Sequence, residues 1–94
     1  MNKAQYIAFI KEELDSLAEA IFPAQELHYE TTYDDTKQRY MLLTMGIDGG
    51  IDIFEIAISV KVTDDKIIIE ENMTDKDLKD ILIEKGVPII AFTN

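Results

Sequence analysis

The sequence predicts a small α+β domain in which an N-terminal helix and a C-terminal helix pack on a four-stranded antiparallel β-meander. Three apolar runs rich in Ile and Val lie between residues 39 and 69. They are separated by the turn signals Asp48-Gly49-Gly50 and residues 63–66, which is typical of consecutive hairpins. Helical periodicity precedes and follows these runs. The 94 residues are enough for one domain, so residues 1–94 are predicted to fold as a single unit.

Residues 3–20 are predicted to form the first helix, because apolar side chains recur at steps of three and four. Asn2 can cap its N-terminus. The helix is expected to end before Pro23, since the residue that precedes a proline is pushed out of the α region. The predicted apolar stripe consists of Ile7, Ile10, Leu14, Leu17 and Ile21.

Residues 27–33 alternate between apolar and polar side chains and predict a half-buried first strand. Residues 34–37 form a polar turn, in which aspartate side chains can bond the local backbone. Residues 39–47 predict a second strand that is apolar on both faces, as expected of a central strand.

Residues 51–62 predict the longest strand, and residues 66–70 a shorter strand at an edge of the sheet. Strict alternation along the longest strand assigns one set of side chains to the helices and the other to a wetter face. The set expected to meet the helices is Phe54, Ile56, Ile58, Val60 and Val62. The set expected on the wetter face is Ile53, Glu55, Ala57, Ser59 and Lys61.

The second helix is expected to begin at Thr74, a residue type favoured as an N-cap, and to place Leu78, Ile81 and Leu82 in the core. Gly86 and Pro88 follow as stop signals. Residues 89–92 are expected to form either a short last strand or a tail packed on the sheet.

The composition is acidic, with 19 Asp and Glu against 9 Lys and Arg and a formal net charge of −10. Phosphate backbones attract basic surfaces, so direct nucleic-acid binding is disfavoured and a basic protein partner is favoured. A simple contribution of the charge to solubility is the alternative. No cysteine is present, which excludes disulfides, thiolate metal sites and cysteine catalysis.

No targeting feature is apparent. No apolar run approaches the ~18 residues of a membrane span, and the N-terminus lacks the pattern of a signal peptide. The sequence therefore predicts a cytoplasmic protein that does not enter a membrane.

No catalytic constellation is apparent either. His28 is the single histidine, and the serines Ser16 and Ser59 lie outside any nucleophile motif. Adjacent acids could bind a hard cation, but they lack EF-hand spacing. The Asp-x-Lys triplets at residues 35–37 and 64–66 lie in predicted turns rather than on the strand that a nuclease site needs. The expectation is a protein without enzymatic activity, cofactor or metal.

The chain nevertheless resembles a known family, the XisI family of excision-controlling factors, from the first helix to Phe92. It departs from the family where tryptophan is often found, at Ile47 and Ile69, and in its shortened C-terminal tail. The residues that carry the resemblance are Tyr40, Gly46, Asp48, Gly49, Lys66, Ile67, Thr74, Gly86, Val87 and Pro88.

The resemblance implies an accessory protein for the excision of a DNA element, with no catalytic residues to carry over. It also implies a protein partner, either an XisH-like factor related to endonucleases or a recombinase. A small acidic inhibitor that imitates the charge of DNA is the alternative. The chain itself is expected to be a monomer or a homodimer. Candidate interface residues are the exposed acids Asp34, Asp35, Asp48, Glu55, Asp64 and Asp65.

Overall fold

A computed structural model of the protein describes residues 1–22 and 26–93. It contains a four-stranded antiparallel sheet with the strand order β1-β2-β3-β4, which confirms the predicted α+β meander. The expected helix stop at Pro23 lies outside the described residues. The elements are α1 (Lys3–Ala18), β1 (Glu26–Asp34), β2 (Arg39–Asp48), β3 (Ile51–Thr63), β4 (Lys66–Asn72), α2 (Leu78–Glu84) and a 3₁₀ turn (Ile89–Ala91).

Helix α1 begins with a reciprocal cap. The Asn2 side chain accepts a hydrogen bond from the Gln5 backbone N–H at 3.0 Å, and the Gln5 side chain accepts one from the Asn2 N–H at 2.9 Å. The helix ends at Ala18, two residues before the predicted end. Ile21 lies beyond it and is 91% exposed, so its predicted place in the apolar stripe is wrong.

The core lies between the helices and one face of the sheet. Ile10 and Leu14 of α1 and Leu82 of α2 are fully buried against it. Burial of such side chains stabilises the fold by roughly 1.5–3 kcal/mol each. The sheet contributes the buried side chains of Tyr40, Leu42, Ile58, Val60, Val62 and Ile67.

A β-bulge at Ala57 divides β3 into two halves whose side chains alternate in opposite senses. Leu42 pairs with Ile58, but Leu43 pairs with Ile56, so Ala57 is one extra residue on β3. An extra residue shifts the period-2 alternation by one position. The expectation that Phe54 and Ile56 share a face with Ile58 is therefore wrong.

The same shift changes the assignment of the polar set. Glu55 pairs with Thr44, which shares the helix side of the sheet with Leu42, whereas Ser59 pairs with Met41 on the opposite face. Glu55 and Ile53 thus lie on the helix side of the sheet. Ala57 packs in the core, contrary to the prediction of a wetter position.

One turn and one close approach depend on positive φ angles at glycine. Gly49 and Gly50 close the β2–β3 hairpin at φ values of +59° and +83°. Gly46 has φ +129°, and a Cβ at this position would lie 2.0 Å from the carbonyl oxygen of Glu26 on β1. Only glycine fits where the two backbones meet this closely.

The second helix begins later than predicted. Asp77, rather than Thr74, caps α2 by accepting a hydrogen bond from the Asp80 N–H at 3.1 Å. Thr74 instead donates its hydroxyl to the Asn72 side chain at 2.7 Å. The Thr74 oxygen accepts the Lys76 N–H at 3.2 Å, so residues 74–76 form a local side-chain turn rather than the first turn of a helix.

The C-terminal residues form a packed tail and not a strand. A 3₁₀ turn covers Ile89–Ala91, and Phe92 makes one isolated parallel bridge to Ile67 on β4. The ammonium group of Lys66 donates to the carbonyl oxygen of Ile90 at 2.8 Å. The tail thus closes the core beside β4, where Ala91 is buried.

Candidate functional site: the open face of the sheet

The face of the sheet opposite the helices is uncovered in the structure. Pairing places Met45 directly across from Phe54, and Leu43 across from Ile56, on this open face. Leu43 is buried but does not belong to the helix-side core cluster, which supports its position on the other face. These side chains and their neighbours form what we call the open-face patch: Met41, Leu43, Met45, Ile47, Phe54 and Ile56.

The patch is apolar, and three of its side chains are largely accessible to solvent. Phe54 is 73% exposed, and Ile56 and Ile47 are 44% and 43% exposed. Isolated apolar side chains on a surface are ordinary, but a contiguous apolar group on one sheet face indicates an interaction site. An exposed phenylalanine is the type of residue that anchors protein interfaces, and Phe54 is the most exposed side chain of the patch.

Acidic side chains border the patch. Register places Glu26 beside Ile47 and Glu30 beside Leu43 on the β1 side. Asp52 lies across from Ile47 on β3, and Glu71 on β4 pairs with Ser59. These four residues, Glu26, Glu30, Asp52 and Glu71, form the acidic rim. A partner that matches this surface needs an apolar centre and basic surroundings.

The basic residues of the open face lie at the end remote from the β2–β3 hairpin. Arg39 donates two hydrogen bonds to Glu70, at 2.8 and 2.9 Å, and Ser59 donates a third at 2.9 Å. Lys61 donates to the carbonyl oxygen of Lys37. The bonds from Arg39 hold the pKa of Glu70 below its ordinary value. These bases are engaged within the fold, which leaves the rim negative.

The candidate acids of the β1–β2 turn are used within the fold. Asp35 accepts a hydrogen bond from the Tyr40 hydroxyl at 3.0 Å and lies 2.9 Å from the ammonium group of Lys11 on α1. The bonds from Lys11 and Tyr40 lower the pKa of Asp35. Asp34 accepts from the Lys37 N–H at 2.9 Å within the turn. The contact between Lys11 and Asp35 therefore holds α1 against the first hairpin.

The predicted interface acids do not form one surface. In a meander, alternate turns lie at opposite ends of the sheet, so Asp34 and Asp35 share an end with Asp64 and Asp65. Asp48 lies at the other end, in the β2–β3 hairpin. Glu55 is exposed, but it lies on the helix side of β3. Of the six, none belongs to the acidic rim.

The arrangement offers little for catalysis. His28 and Glu30 lie on the open face with 2.6 Å between Nε2 and Oε2, and Ser59 is buried against Glu70. Among residues 1–22 and 26–93, no group of three or more His, Asp or Glu could hold a metal ion, and no pocket is present. No helix in this part of the chain is long and apolar enough to cross a membrane.

The sequence pattern does not predict the open-face patch, although the composition of β2 gives one indication of it. Met41, Leu43, Met45 and Ile47 make β2 apolar on its second face, which indicates that this face also needs cover. Strict alternation assigns Phe54 and Ile56 to the helix side because nothing in the sequence marks the bulge. Alanine at position 57 carries no turn or bulge signature.

The fold places the chain among small α+β proteins in which helices cover one face of an antiparallel β-meander and leave the other face open. Within this class the chain belongs to the XisI family, because the family profile of the XisI proteins matches residues 1–92. Comparison with curated proteins found no match.

Two solved structures from Anabaena variabilis share the fold. A XisI-like protein is 23% identical, with a TM-score of 0.86 over 97% of this chain and 84% of its own. The fdxN element excision controlling factor XisI is 21% identical, with a TM-score of 0.78 over 97% of this chain and 88% of its own.

Proposed function

We propose that this chain is a non-enzymatic accessory protein that controls excision of a DNA element by binding a protein partner through the open-face patch. Membership of the XisI family supports the excision role, since one structural relative is described as an excision controlling factor. The observation that carries the binding role is the exposed apolar patch, in which Phe54 is the most exposed side chain and which is bordered by acids of β1, β3 and β4.

The partner that fits this surface is a basic protein that itself handles DNA. Such proteins carry Lys and Arg clusters for the phosphate backbone. Either an XisH-like factor related to endonucleases or a site-specific recombinase meets this requirement. The acidic rim would accelerate and orient their association, while burial of the patch would supply most of the affinity.

The test uses variants with matched exposure. Phe54→Ser removes the most exposed side chain of the patch, and Ile90→Ser removes an equally exposed apolar side chain from the tail, 74% exposed against 73%. In the native host lacking the wild-type gene, excision of the DNA element is measured by amplification of the rejoined junction. Co-purification with each variant identifies the partner.

We expect the wild type and Ile90→Ser to restore excision and to retain an XisH-like protein or a recombinase. Phe54→Ser should do neither, although it should fold normally. Equal excision with all three proteins would contradict a role for the patch. Normal excision in the host without the gene would contradict the excision role itself.

A second candidate, an acidic inhibitor that imitates DNA, is favoured by the net charge of −10 and the all-acidic rim. Its binding would depend on charge and compete directly with DNA. Duplex DNA added to the captured complex should therefore displace an inhibitor. It should leave a complex that is held through the open-face patch in place.

A further inference from the structure

The β3 strand has one unpaired edge along its first half. Strand β4 pairs with β3 only from Ile58 to Thr63, and the Met73 N–H extends this by one bond, to the Ala57 carbonyl oxygen at 2.7 Å. Residues 51–56 therefore pair with β2 on one side and have no strand on the other within the described chain. This stretch presents backbone donors and acceptors to solvent, and we call it the free edge.

The register shows which backbone groups the free edge presents. Hydrogen-bonded and non-hydrogen-bonded pairs alternate along an antiparallel ladder. Because the Val62 N–H donates to the Gln38 carbonyl oxygen, the hydrogen-bonded pairs with β3 are those of the even-numbered residues of β2. Beyond the bulge, Thr44, Gly46 and Asp48 of β2 pair in this way with Glu55, Ile53 and Ile51 of β3. The intervening residues turn their backbone N–H and C=O groups outward, and their side chains lie on the open face: Asp52, Phe54 and Ile56.

We propose that the free edge accepts an extended segment of the basic partner as a fifth strand of the sheet. This deepens the proposed function, because it rests on partner binding at the open face and specifies its mode. Strand addition supplies main-chain hydrogen bonds, and side chains on alternate positions supply specificity. The added strand would lie beside Phe54 and Ile56 and would extend the apolar face over them.

The free edge lacks lysine and proline, two of the features that protect strand edges from such pairing. Natural edges are blunted by lysine, proline, bulges or short length. Residues 51–56 contain neither lysine nor proline, and Ile51 is 66% exposed in addition to Phe54. The outer edge of β1 is the competing candidate, but its open-face side chains are the polar series Glu26, His28, Glu30 and Thr32.

The negative charge around the free edge favours a basic segment, rather than a second copy of this chain, as the added strand. No Lys or Arg occurs between residues 40 and 60, whereas Asp48, Asp52 and Glu55 do. A second copy would bring together two chains that each carry −10. A segment with apolar residues opposite Phe54 and Ile56 and with lysine opposite Asp52 and Glu55 matches the edge in charge and shape.

The probe is a disulfide-closed hairpin peptide whose outer strand has the sequence Val-Lys-Val-Thr-Lys-Val, aligned antiparallel to residues 56–51. A closed hairpin is already extended, which reduces the entropic cost of binding. In one control peptide the backbone nitrogens on the pairing edge are methylated. In a second control the nitrogens on the opposite edge are methylated, so side chains and charge are identical in all three.

Binding is followed by NMR titration and amide hydrogen exchange of the full chain. We expect saturable binding below about 1 mM and at least about tenfold slower exchange at Asp52, Phe54 and Ile56. Methylation on the pairing edge should weaken binding at least about tenfold, and methylation on the other edge should not. Absence of saturable binding, or equal binding of all three peptides, would overturn the proposal.

A substitution in the protein gives an independent test. Asp52→Pro removes an outward N–H, whereas Asp52→Ala removes the same carboxylate and keeps the N–H. We expect the proline variant to bind the peptide at least about tenfold more weakly than the alanine variant. Equal binding of the peptide by the two variants would contradict addition of a partner strand. So would slower amide exchange at β1 instead of β3, or self-association of the chain that Asp52→Pro abolishes.

The two proposals fail separately. If Phe54→Ser abolishes partner binding and excision but the peptide tests fail, the proposed function stands and strand addition is wrong. If the peptide pairs with the free edge but loss of the gene leaves excision unchanged, the edge binds strands and the excision role is wrong.

Discussion

Arg39 on β2 donates two hydrogen bonds to Glu70 on β4, although β3 lies between these strands. The contact is possible because Glu70 is the extra residue of a bulge in β4: Ser59 pairs with Glu71, while Val60 pairs with Ile69. The ion pair thus ties the edge strand to a central strand on the open face. It also orients the hydroxyl of Ser59, which is buried.

We predict that Glu70→Gln lowers the melting temperature by a few degrees, because it replaces the charge-assisted pair with a weaker one. The pKa of Glu70 is lowered in the folded protein from its ordinary value of 4.5, so the stabilisation is complete above that value. It is lost as the pH falls through the folded pKa. Thermal unfolding of both proteins from neutral to acidic pH measures this difference.

The control for this prediction is Glu71→Gln, which removes a charge from the neighbouring position and leaves the Arg39 pair intact. It should change the melting temperature less than Glu70→Gln at neutral pH. A stability difference between Glu70→Gln and the wild type that persists unchanged at low pH would contradict the role of the ionised carboxylate.

Gly46→Ala should destabilise the protein by more than about 2 kcal/mol, because its Cβ would overlap the β1 backbone and its φ is unfavourable for alanine. Gly49→Ala is the matched control. Its φ is also positive, but nothing lies within 4 Å of the added Cβ, so a cost of about 1 kcal/mol is expected. Urea unfolding measures both, and equal costs would show that the close approach of β1 does not matter.

Ile10→Ala should cost about 2–5 kcal/mol, since Ile10 is fully buried between α1 and the sheet. Ile21→Ala should change the free energy of unfolding by no more than about 0.5 kcal/mol, because this side chain lies in solvent after the helix has ended. Chemical denaturation distinguishes the structure from the simple sequence periodicity, which places both residues in the same stripe. Similar losses for the two variants would support the periodicity instead.

Burial and the hydrogen bond to Asp35 raise the pKa of Tyr40 to about 12 from its ordinary value of 10. A raised pKa means that the tyrosine stabilises the fold fully below pH 10 and loses this contribution between pH 10 and 12. Burial and the bond to Asp15 also raise the pKa of Tyr33, so a late transition of that residue should remain in Tyr40→Phe. We expect ultraviolet difference titration of Tyr40→Phe to lack one of the late tyrosinate transitions of the wild type. If the variant titrates like the wild type, the assignment to Tyr40 is wrong.

The sequence was sufficient for the fold class because each signal for it is local. Turn residues such as Gly49 and Gly50, the Asn2 cap and the alternation in β1 depend on a few neighbouring residues. The second helix was placed too early because Thr74 satisfies the rules for an N-cap. In the folded chain the Thr74 oxygen accepts the Lys76 N–H within a local turn, and the helix begins later at its own cap, Asp77.

The open face was not predictable in the same way. Its composition depends on the bulge at Ala57, which arises from the pairing of β2 with β3 and has no mark in the local sequence. One extra residue moves Phe54 and Ile56 from the core to the surface. The acidic rim likewise combines residues from β1, β3 and β4, so it depends on strand pairing, and the predicted candidates, the turn acids and Glu55, do not include it.

The most direct test is the affinity of an XisH-like protein or recombinase from the same host for three forms of this chain, measured by calorimetry. The wild type and Ile90→Ser should bind equally, and Phe54→Ser at least about tenfold more weakly, which corresponds to ~1.4 kcal/mol. Equal affinity of all three forms, or no binding by the wild type to either protein, would contradict a partner-binding role for the open face.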